Sequence, residues 1–169
     1  MKKLIATLTA IAAAMTMCVF AEKYVSANDL ELGTITADKA LEDDFTIKAT
    51  EEKSVEISKH SSENPNTIPT GEVFTQRIKL GGSGSVDARS IGFPAKAGQK
   101  VTIYGLSSSK TDSRVIAVFA ADGTQVGGVN VEPYSASAIS SGTVTIPADG
   151  NYFVGSKKSG VWVFEIVVE

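Results

Sequence analysis

Thiol and imidazole chemistry is nearly missing from this 169-residue chain, which holds one cysteine, one histidine and one tryptophan. Cys18 lies inside an apolar N-terminal run, so beyond that run the chain can form neither a disulfide nor a thiolate metal site. His60 stands alone in a polar stretch, and no serine occupies a G-x-S-x-G turn. His60 therefore has no sequence partner that would mark a His-activated nucleophile, and reads as a solvated loop residue. Helical periodicity is scarce as well, with one weak turn over 37–41 outside the leader. A basic excess is also lacking: 16 Lys and Arg face 19 Asp and Glu. Nucleic-acid binders carry a basic domain or stripe, so that class is excluded.

The N-terminus reads as a targeting segment. Lys2 and Lys3 precede an apolar or small run over 4–20, and small residues then offer cleavage after Ala21 or after Ala27. This is the pattern of a secretory signal peptide, expected over 1–27 as a helix removed on export, rather than of an uncleaved membrane anchor. Met17 stands before Cys18 where a lipidation signal has a small residue, which argues against a lipoprotein. Removing 1–21 leaves 14 bases against 19 acids, a net charge of −5. The acids concentrate early: residues 22–71 hold 11 acids and 5 bases, whereas 72–169 hold 8 and 9. The C-terminal part can thus gather positive charge on one surface while the rest keeps the protein soluble.

Runs rich in Val, Ile, Thr, Tyr and Phe recur at 45–49, 54–57, 73–80, 90–93, 100–106, 115–120, 125–131, 143–146, 151–155 and 160–168. Gly, Asp, Ser and Pro punctuate them, which is the strand signature. Asp122-Gly123 and Asp149-Gly150 suit hairpin turns. About ten short strands at this spacing imply an all-β, two-sheet antiparallel sandwich of the jelly-roll kind, a single domain over 28–169. The polar stretch 59–70, with Pro65 and Pro69, reads as a surface loop with little to bury. Alternation puts Phe74, Gln76, Ile78 and Leu80 on one face of a strand and Thr75, Arg77 and Lys79 on the other. By the same parity Val161, Val163, Glu165 and Val167 share a face in the last strand.

Two stretches come directly after strand-like runs and set cations among small hydroxyls: SSSKTDSR at 107–114 and GSKKSG at 155–160. Lys110, Arg114, Lys157 and Lys158 come from these, and Arg77 and Lys79 join them from an outward strand face. Tyr104 and Trp162 are candidate stacking platforms beside them. Long cations held on a rigid sheet suit an anionic polymer such as polygalacturonate, where several weak contacts combine through multivalency. Paired carboxylates for glycoside hydrolysis would have to come from Asp43, Asp44, Asp112, Asp122 or Asp149, but Asp122 and Asp149 serve turns and Asp43 and Asp44 read as the polar lead-in to a strand. No EF-hand spacing is present, although such sandwiches leave room for a structural calcium. The GGSGS run at 81–85 lacks a phosphate loop's Lys-Ser/Thr ending and reads as a turn.

The segments RIKLGGSGS (77–85), RSIGFPAKAGQKVTIYGLSSSKTDSR (89–114) and TIPADGNYFVGSKKSGVWVFEIVV (145–168) resemble the β-sandwich carbohydrate-binding modules appended to bacterial pectate lyases. The resemblance implies a jelly roll, no catalysis, no cofactor, and binding to homogalacturonan through basic residues. It places binding lysines at Lys110 and Lys157, with Lys96 as a third. Trp162 and Phe164 depart from the family, whose last strand carries Asn and Tyr there. The expectation is a secreted, monomeric, non-catalytic module that binds pectic polysaccharide, free of nucleic acid and, once the leader is removed, of membrane. The alternative is an extracellular adhesive sandwich that binds a protein partner.

Overall fold

The computed structural model describes residues 22–169; residues 1–21, which carry most of the signal-peptide reading, lie outside the described residues. The strands are β1 (Lys23–Ser26), β2 (Gly33–Ile35), β3 (Lys39–Ala40), β4 (Thr46–Lys48), β5 (Val55–Lys59), β6 (Gln76–Leu80) and β7 (Ser90–Ala95). They continue as β8 (Lys100–Ser107), β9 (Arg114–Ala120), β10 (Gln125–Val131), β11 (Ser140–Thr145), β12 (Gly150–Ser156) and β13 (Val161–Val168). Single 3₁₀ turns occupy Ala27–Asp29 and Glu42–Asp44. One sheet runs β11-β8-β13-β6-β5-β2 with β1 also paired to β13, and the other runs β10-β9-β12-β7-β4-β3. The expected two-sheet sandwich is the fold found.

Between the sheets lies the main core, which includes Phe45, Ile47, Ile91, Ile103, Ile116 and Val163. Burying a side chain of this size contributes about 1.5–3 kcal/mol. Glycines shut one side of the sandwich. A Cβ on Gly127 of β10 would stand 2.4 Å from Val144 Cγ1, and one on Gly142 of β11 would stand 2.9 Å from Val129 Cγ1. The outer strands of the two sheets therefore touch directly, closer than any branched residue at those positions permits.

Several expectations need correction. The weak helical turn at 37–41 is instead the strand Lys39–Ala40 leading to the turn Glu42–Asp44, where Asp43 and Asp44 take φ of 53° and 63°. Asp122-Gly123 does close the β9–β10 hairpin, with Ala120 N–H donating to Thr124 O at 2.8 Å. Asp149-Gly150 closes no hairpin, because β11 and β12 belong to different sheets. Asp149 instead accepts from the Ala97 N–H at 2.9 Å.

The last strand breaks the simple alternation. Its register against β8 slips between Val163 and Glu165, a bulge that flips the parity of the strand's second half. Val161, Val163, Ile166 and Val168 face the main core, while Trp162 and Phe164 enter a second cluster on the outer face of that sheet. Ile68, Phe74, Leu106 and Ile139 complete this cluster. Phe74 thus leaves the face of Ile78 and Leu80, since the strand begins only at Gln76.

The stretch 59–70 is the roof of that cluster rather than a loop with nothing to bury. It folds back on itself through a Thr67–Val73 bridge and a Phe74 N–H to Asn66 O bond of 2.6 Å. Asn28 pins it from the N-terminal side, donating to Val73 O at 3.0 Å and accepting from Thr75 N–H at 3.0 Å.

Candidate functional site

Strand directions bring five connections to one end of the sandwich: residues 49–54, 81–89, 108–113, 132–139 and 157–160. Serine hydroxyls shape the first of the two cation loops. Ser109 Oγ accepts from the Thr111 and Asp112 N–H groups at 3.3 and 3.1 Å and donates to the Asp112 carboxylate at 2.9 Å. Such side-chain turns replace regular backbone pairing and leave Lys110 exposed at the tip. The second loop is tied down by Ser156 Oγ donating to Ser159 O, and it carries Lys157 and Lys158 outward.

Arg114 joins the two loops. Its guanidinium donates to Ser108 Oγ at 2.8 Å and to Gly160 O, and Ser108 Oγ itself donates to Gly160 O at 2.8 Å. Asp112, two residues away in sequence, makes no ion pair with Arg114. Between the loops runs a groove of about 370 Å³ lined by Asp112, Ser113, Arg114, Val115, Lys157, Lys158 and Ser159. Ion pairs among the described residues join Lys23 to Asp44, Lys48 to Asp38, Lys79 to Glu56 and Lys96 to Asp149. Lys110, Lys157 and Lys158 therefore keep unpaired ammonium groups at this end.

Arg77 and Lys79 do face outward from β6, as alternation requires, but both are engaged. Lys79 pairs with Glu56 at 2.7 Å across the β5–β6 rung. Arg77 lies over Trp162, its guanidinium carbon 3.8 Å from the ring centroid, and also donates to Ser58 Oγ at 3.3 Å. Trp162 is no open platform: 8% of it is exposed, and Tyr134 stacks on it at 5.1 Å and 20°. Desolvation, with Glu56 opposing, lowers the Arg77 pKa from its ordinary value.

His60 is not a solvated loop residue but is buried, at 7% exposure, edge-on to Phe164 and Trp162 at 4.8 and 5.7 Å. Its Nε2 lies 2.9 Å from Pro65 O, and Arg77 Nη1 lies 3.4 Å from its Nδ1. This assigns the proton to Nε2, with Nδ1 accepting from Arg77. Burial chiefly, with the Arg77 charge adding, lowers the His60 pKa against the raising effect of the Pro65 carbonyl.

Tyr104 stays half-buried on the outer face beside Glu165. Burial and the charges of Glu165 and Glu169 raise its pKa. Lys96 belongs elsewhere. It sits in the β7–β8 connection at the opposite end, paired with Asp149 at 3.0 Å. The eight residues of β8 separate it from Lys110 by roughly 23 Å at about 3.3 Å per step. The structure thus gathers Lys110, Arg114, Lys157 and Lys158, sets Arg77, Lys79, Tyr104 and Trp162 on an adjoining face, and leaves Lys96 apart.

No protein-family model matches the chain, and no curated protein matches its sequence. Solved structures do share its fold. The K1 cleaved adhesin domain of Lys-gingipain from Porphyromonas gingivalis W83 has a TM-score of 0.50 at 12% identity, over 89% of this chain and 98% of that one. Exo-beta-1,3-galactanase from Phanerochaete chrysosporium has a TM-score of 0.48 at 13% identity, over 89% of this chain. This chain spans 30% of the galactanase's length. A family 35 carbohydrate binding module from Clostridium thermocellum has a TM-score of 0.46 at 11% identity, over 88% of this chain and 98% of that one. At this identity the adhesin-domain likeness bears on the fold alone. Among the described residues no helix is long and apolar enough to cross a membrane, and no group of three His, Cys, Asp or Glu is arranged to hold a metal.

One residue at this end escapes sequence reasoning altogether. Tyr134 lies in 132–139, a connection with neither strand pattern nor a serine–cation repeat. Its only sequence signal is an aromatic directly after Pro133.

Proposed function

We propose that this protein is a secreted, non-catalytic carbohydrate-binding module that holds an anionic plant cell-wall polysaccharide, with de-esterified pectin the ligand. The observation that carries the reading is a set of unpaired cations on hydroxyl-braced loops at one end of the sandwich: Lys157 and Lys158 line a groove there, and Lys110 stands exposed at the tip of the neighbouring loop. A polyuronate presents a carboxylate on every sugar, and the anchored Arg114 lines the same groove as Lys157 and Lys158. Exposed pairs of this kind contribute about 0.2–1 kcal/mol each, so useful retention depends on several acting along one polymer. The rival, an adhesive module with an apolar docking patch around Trp162, loses its anchor because Tyr134 and Arg77 cover that ring.

Affinity gel electrophoresis on polygalacturonate tests the reading. Wild-type protein should be retarded at low salt and released as salt shortens the screening length. Lys110→Ala and Lys157→Ala should each weaken retention by about two- to fivefold without moving the melting temperature. Retention that ignores both salt and these substitutions would remove the electrostatic basis of the proposal.

A further inference from the structure

Resting on the carbohydrate-binding reading, we infer that Tyr134 is a preset stacking platform for a sugar ring, positioned beside Lys110 so that one pyranose meets an aromatic face and an ammonium group together. The inference starts from how firmly 132–135 is bound to the Lys110 loop. Ser107 N–H donates to Glu132 O at 2.8 Å, Tyr134 N–H donates to Ser109 O at 3.1 Å, and Ser135 Oγ donates to Lys110 O at 2.6 Å. Ser113 Oγ adds a bond of 2.9 Å to the Glu132 carboxylate. The backbone at Lys110 and the segment that carries Tyr134 are therefore tied together.

The ring is oriented from behind. Trp162 stacks on it at 5.1 Å and 20°, and Trp162 is in turn braced by the Arg77 guanidinium at 3.8 Å and the edge of His60 at 5.7 Å. Tyr134 nonetheless remains only half-buried. An aromatic side chain with one face committed and part of its surface still reaching solvent loses little conformational freedom on binding, which is what preorganisation requires. The C–H face of a pyranose packs on such a ring, while its hydroxyls and carboxylate stay free to meet the lysine. Cations alone select charge; a cation beside a flat ring selects a charged sugar over a charged peptide or phosphate.

The test titrates polygalacturonate against wild type, Tyr134→Phe, Tyr134→Leu and Tyr134→Ala, reading retention at two salt concentrations and the emission of Trp162, the single tryptophan. Tyr134→Phe should bind like wild type, and the Leu and Ala forms should lose about two- to tenfold. Their salt dependence should match that of wild type, because no charge is removed, and wild-type Trp162 emission should change on saturation. Leu keeps an apolar cover on Trp162, so it decides the matter where Ala lowers the melting temperature. Wild type retained with the Leu form equally retained overturns the platform alone. Wild type held only by a neutral galactan, and lost on Tyr134→Leu, overturns the pectin reading and keeps the platform. Retention by neither polymer overturns both.

Discussion

Glu165 sits just past the β13 bulge with 9% of its surface exposed, opposite Ser26 of β1 and Tyr104 of β8. Burial first, then the charges of Glu72, Asp29 and Glu22, raise its carboxyl from 4.5 to about 7. Below pH 4.5 both folded and unfolded chains hold the proton, so this group does not affect stability there. Between 4.5 and 7 the unfolded chain ionises first, and stability falls as pH rises, by on the order of 3 kcal/mol. Glu165→Gln should therefore raise the urea midpoint at pH 8 and flatten its fall between pH 5 and 8. An equal shift at both pH values would show that the carboxyl does not titrate in this window. None of this is legible in the sequence, because strict alternation sets Glu165 beside Val163. The burial of His60 escapes for a related reason: polar neighbours in sequence say nothing of the Trp162 and Phe164 rings that the fold brings over it.

Ten of the thirteen described strands announce themselves through β-branched runs bounded by Gly, Asp and Pro. The three that do not are β1, β2 and β3, whose two to four residues are too few for a periodic signal. Their strand form comes from pairing with β13, β5 and β4. The expected single domain begins at residue 28, and β1 lies just before that point. Leader cleavage after Ala27 would remove the four β1–β13 rungs and the buried Val25 and Ala27. Cleavage after Ala21 would keep them. On the proposal that the chain is secreted, mass spectrometry of the protein recovered from the medium should place its first residue at Glu22. A chain beginning at Asn28 should unfold at lower urea, since Val25 alone contributes about 1.5–3 kcal/mol. Equal midpoints for the two chains would show that β1 adds nothing to the folded state.

Charge is segregated over the whole molecule. Residues 22–71, which hold 11 of the 19 acids, supply β1 to β5, whereas every proposed cation comes from later strands and their connections. Which cations act together is only partly legible in the sequence. The two serine–cation repeats point to Lys110, Arg114, Lys157 and Lys158, and the fold unites them. The family resemblance adds Lys96 without regard to which end of β8 its loop occupies. Lys96→Ala should accordingly leave polygalacturonate retention within twofold of wild type on the same gels that separate Lys110→Ala. A loss matching that of Lys110→Ala would mean the polymer wraps the full height of the sandwich.

Each of the five connections at the cation-bearing end passes from one sheet to the other. A polymer spanning Lys110 and Lys157 would thus bridge two of the crossovers between the layers. Because only the folded chain brings those two loops together, a bound polymer would add its binding free energy to the cohesion of the sandwich.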